Sequence, residues 1–71
     1  MNSIDLDTIV ETSITEAVEE RGSIYPILPV GRAVNLAFLR SRAKVEDKSE
    51  ICRLICSSGI RRGLVLQFHA D

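Results

Sequence analysis

Residues 23–30, SIYPILPV, hold both prolines of the chain and separate two stretches with helical periodicity. Pro26 and Pro29 lack a backbone N–H, so this segment cannot run through the middle of a sheet. It fits a short edge strand or an extended connector. Pro29 also suits the entry to a helix, because its fixed φ is already near the helical value. One helix is therefore expected to end before this segment and another to start after it.

Upstream, Leu6, Ile9, Val10, Ile14, Ala17 and Val18 recur at spacings of three and four. That single apolar stripe predicts a helix over residues 5–21. Ser3 or Asp5 can cap its start, early acids suit the positive end of the helix dipole, and Gly22 stands where a left-handed cap is expected. Downstream, residues 31–43 read GRAVNLAFLRSRA, apolar almost all round, as expected of the most buried helix. Asp47 with Glu50 three residues on resembles a capping box. It predicts a third helix over 47–57 that stops near Ser57, Ser58 and Gly59. In the tail, Leu64, Leu66 and Phe68 alternate with Val65, Gln67 and His69, a strand pattern over 64–69. A lone strand is not stable, so it is expected to pair with residues 23–28. The expected fold is mainly α (small α+β), with three helices and a minor two-stranded element in one domain, residues 1–71.

Seventy-one residues bury only about 60% of their unfolded surface. With three aromatics (Tyr25, Phe38, Phe68) available, a second copy would add useful burial, so a homodimer is expected. Tyr25, Ile24, Ile27 and Leu28 are read as core in preference to exposed anchors. The start is acidic and polar, unlike a signal peptide, and no apolar run approaches the roughly 20 residues that cross a bilayer. A cytoplasmic protein without membrane contact follows as the expectation. Cys52 and Cys56 share a helix face, where intrahelical geometry seldom suits a disulfide. They are read as small, reduced and partly buried residues. No spacing supplies a metal set, and no cofactor or small-molecule substrate is inferred.

Catalysis finds little support. His69 is the only histidine, third from the end, and is expected to be solvated or paired near Asp71. Ser57 and Ser58 follow a helix and lack the glycine pattern of a nucleophile elbow. The four glycines form no phosphate-cradling loop. A binding role, not an enzyme, is expected.

Charge is sorted by position. Residues 1–20 carry six acids and no cation, while residues 21–71 carry nine cations and four acids, giving halves of −6 and +5 and a net −1. Seven of the cations are Arg, which suits bidentate phosphate contact. Two helix-turn-helix arrangements can be drawn. In one, helices 31–43 and 47–57 form the pair and the tail strand follows, in the order of an abbreviated winged helix. In the other, Gly59 followed by Ile60, with Val65 five residues on, resembles the helix-turn-helix pattern, and residues 61–69 form the recognition helix. Ile55 and Gly63 depart from that second pattern.

The leading expectation is a small regulatory protein of helix-turn-helix type that binds duplex DNA through an Arg-rich face. Phosphate contacts would come from Arg40, Arg42 and Lys44, with Lys48, Ser49, Arg53, Arg61 and Arg62 near the groove. Against it, Glu46, Asp47 and Glu50 lie within the same stretch, the pI of 5.7 is low for a DNA binder, and the cations can equally solvate the surface or bridge to the acidic first helix. The alternative is a protein–protein interaction module, an inhibitor or adaptor, with charge-segregated surfaces.

Overall fold

The computed structural model describes residues 6–22, 24–42 and 44–68. The expected cap at Ser3 or Asp5 and the settings of His69 and Asp71 lie outside these residues, as do Ser23 and Ala43 at the ends of expected segments. The elements run α1 (Leu6–Arg21), β1 (Ile27–Pro29), α2 (Val30–Ser41), a 3-10 turn (Val45–Asp47), α3 (Lys48–Arg61) and β2 (Val65–Gln67). The chain is mainly helical, with one small two-stranded sheet.

The apolar stripe of α1 is its buried face: Ile9, Val10, Ile14 and Ala17 are in the core, with Leu6 and Val18 half-buried beside them. Gly22 closes the helix at φ 67°, a left-handed conformation that costs glycine little. β1 passes straight into α2, with Pro29 as the last extended residue at φ −75°. From α2 the core takes Val30, Ala33, Val34 and Ala37, and from α3 Ile51 and Ile55. Ala17, Ala33 and Ala37 are fully buried, and alanines let helix backbones approach closely. Not every apolar residue spread round α2 is buried: Leu39 is 71% exposed.

β1 and β2 pair in parallel, with Ile27 opposite Val65, Leu28 opposite Leu66 and Pro29 opposite Gln67. The connection between them is the whole α2–turn–α3 unit, and a long helical crossover is what parallel strands require. The strand expected over 64–69 is thus realised at its centre, and its partner lies slightly downstream of 23–28.

Two local expectations are corrected. Ser58 and Gly59 do not end α3; the helix continues through them to Arg61, which removes the drawing with a turn at residues 58–60 and a recognition helix at 61–69. Small residues are needed there because strands and helix meet closely. A Cβ on Gly59 would stand 2.7 Å from a Leu28 methyl and 2.9 Å from a Leu66 methyl. The expected Asp47–Glu50 capping box does not form either. Asp47 turns back instead, its carboxylate accepting the Lys44 N–H at 3.2 Å, while Glu50 binds Arg53.

Candidate interaction surfaces

The acids of α1 meet arginines from three other places in the fold. Arg32, in the first turn of α2, donates from Nε and Nη2 to the two Glu20 oxygens at 2.8 and 3.0 Å. This bidentate bond holds the Glu20 carboxyl below the usual carboxylate range. Arg40, near the end of α2, donates to Glu16 at 2.5 Å and reaches the buried Ser13 hydroxyl at 3.5 Å. Beyond α3, Arg62 donates to Glu11 at 3.1 Å and to the Thr15 hydroxyl at 3.3 Å. Glu11 also accepts a hydrogen bond from the buried Ser58 hydroxyl, the polar contact that joins α1 to the small-residue turn of α3.

These contacts divide the eight residues assigned to nucleic-acid binding. Arg40 and Arg62 lie against α1, one from the α2 side and one from the far end of α3. Arg53 donates to Glu50 on its own helix from Nε and Nη2, at 3.1 and 2.6 Å, which lowers the Glu50 carboxyl's pKa. Arg42, Lys44, Lys48 and Ser49 gather at the turn between α2 and α3, exposed, with no ion pair from their side chains among the described residues. Lys48 Nζ stands 5.4 Å from the centre of the Phe38 ring, within cation–π range. Arg61 lines a shallow cleft with Asp7 and Ser57, far along α3 from that turn. The eight side chains therefore do not form one continuous basic face.

Part of a second surface, Ile24 and Tyr25, is expected from the sequence to be core. Leu28 is fully buried and Ile27 half-buried, as expected, but Ile24 is 90% exposed and Tyr25 65%. Ile60 and Val65 are 66% and 58% exposed. The backbone brings these four to one end of the sheet: Pro26 accepts the Val65 N–H at 2.7 Å, and the Gly63 N–H returns to Ile60 at 3.0 Å. Nothing in the local pattern marks Ile60 as exposed, because its position depends on α3 continuing past Ser58.

An open groove of about 440 Å³ lies where α1 ends, α2 begins and β2 ends, with the Glu20–Arg32 ion pair on its wall. Cys52 and Cys56 are free and half-buried, and burial pushes the Cys56 thiol's pKa up, away from the reactive thiolate. Among the described residues no three metal-binding side chains come together, and no helix is long and apolar enough to cross a membrane. No family model, curated protein or solved structure matches this chain.

Proposed function

We propose that this chain is a small protein-interaction module that acts by binding, without catalysis, in the cytoplasm. Its docking surface is the apolar end of the sheet. The observation that carries this reading is the gathering there of Ile24, Tyr25, Ile60 and Val65, each more than half exposed. Exposed apolar side chains scattered singly need no explanation, whereas several near one end of a sheet favour a contact site there. The internal pairing of Arg32, Arg40, Arg53 and Arg62 supports the same choice, since it leaves fewer cations for phosphates.

The test is recovery of a stoichiometric partner by the tagged chain. Binding should be lost in an Ile24→Ser/Ile60→Ser variant with an unchanged circular dichroism spectrum. It should persist when Arg42, Lys44 and Lys48 are reversed to Glu. The opposite pattern would reject the reading.

One observation favours duplex DNA as a second reading: Arg42, Lys44 and Lys48, whose side chains make no ion pair among the described residues, flank the start of α3, the second helix of a helix–turn–helix order. An anisotropy titration decides it. DNA binding at micromolar protein and about 50 mM salt that weakens steeply as salt rises would support this reading, and no binding would end it.

A further inference from the structure

We propose that the occupant of the sheet's open edge is a second copy of this chain, with the two β2 strands pairing antiparallel about a two-fold axis. The proposal rests on the reading of the sheet end as a docking surface and names the partner. The sheet is two strands of three residues each, packed through Leu28 and Leu66 against Gly59 of α3, and it meets no further strand among the described residues.

Its two edges are unequal. Pro29 gives β1 no N–H, Pro26 precedes the strand, and the Ile27 N–H is already bonded to the Tyr25 carbonyl at 2.8 Å. Prolines at such an edge block the addition of another strand. β2 reads Val-Leu-Gln, with neither a proline nor a charge. Because Val65 donates its N–H towards β1, the alternation of the ladder turns the Leu66 N–H and C=O outward. No further strand lies beyond β2 among the described residues.

A second copy fits this edge through its own geometry. When two β2 strands meet antiparallel with the axis at Leu66, each Leu66 N–H faces the other's carbonyl. Both open groups on each strand are then satisfied by the same residue. The strand brings no like charges together, and the nearby Arg62 is neutralised by Glu11. Val65, exposed in the single chain and next to Leu66 on β2, loses water on pairing.

Sedimentation velocity of the full chain from about 10 to 300 µM tests the proposal; a dimer that grows with concentration is expected. Val65→Lys, which puts a charge on the exposed edge, should weaken the dimer at least about tenfold. A synthetic chain with an N-methyl group on Leu66 removes the outward donor and should do the same, with circular dichroism checking the fold. If that chain fails to fold, Val65→Lys decides alone. Glu19→Lys, on α1, should leave the dimer unchanged. A monomer throughout the range, or a dimer indifferent to Val65→Lys, overturns the proposal. A monomeric chain that still captures a different protein through Ile24 and Ile60 would retain the docking surface while removing the second copy from it.

Discussion

Along α1, Glu11, Glu16 and Glu20 each hold an arginine from another part of the fold, whereas at the start of the sheet Ile24, Ile60 and Val65 stand in water. The first region carries most of the chain's charge asymmetry and uses it internally, to tie α2 and the end of α3 to α1. The second region leaves its apolar groups exposed. Part of the charge that looks available in the sequence, that of Arg32, Arg40, Arg53 and Arg62, is thus engaged, and part of the apolar surface that looks like core is not buried. A surface is available to a partner only when the fold leaves it unsatisfied.

The sharpest contrast lies between neighbours. Gly59→Val should lower unfolding stability by about 1–3 kcal/mol, because the added atoms press on Leu28 and Leu66 under a fully packed turn. Ile60→Ser, one residue on, should change it by no more than about 0.5 kcal/mol. Denaturant melts of the two variants compare them directly, and equal losses would remove the distinction between packed and open sides of the turn. Ser58→Ala deletes the buried hydroxyl that donates to Glu11 and should cost about 1 kcal/mol in the same assay.

Smaller effects are expected from the ion pairs. Glu16 and Arg40 are more than a third exposed, so solvent screening limits their coupling, in a Glu16→Gln/Arg40→Gln double-mutant cycle, to about 0.2–1 kcal/mol. That coupling should shrink as salt rises; a much larger, salt-independent value would mean that the acidic helix governs stability. The smallest effect is the pH dependence from Glu20. Its carboxyl pKa is lower in the folded chain than in the unfolded one, so the Arg32 contact stabilises the fold fully above the unfolded pKa of about 4.3 and is lost as pH falls through the folded value. Glu20→Gln should flatten acid melts slightly in that window and leave stability near pH 7 almost unchanged in its pH slope.

The three helices, the Gly22 cap and the proline-bearing strand were legible because each rests on local periodicity or backbone restriction. The last turn of α3 was not. Ser57, Ser58 and Gly59 read locally as a stop, yet Ser58 and Gly59 are small to admit Glu11, Leu28 and Leu66, which are distant in sequence. Ion-pair partners were equally hidden, because matching Glu16 with Arg40 depends on how each helix is rotated about its axis. The exposed patch follows from the same long-range information. Ile60 becomes exposed only once Gly59 is fitted beneath the strands, and Val65 only once Leu66 faces inward.

Amide hydrogen exchange of the unmodified chain at low and high concentration tests the central claim most directly, since it reports which surface is covered. Slower exchange at high concentration centred on Leu66, with residues 40–48 unchanged, is the predicted result. Protection confined to residues 40–48, or no concentration dependence at Leu66, would contradict it.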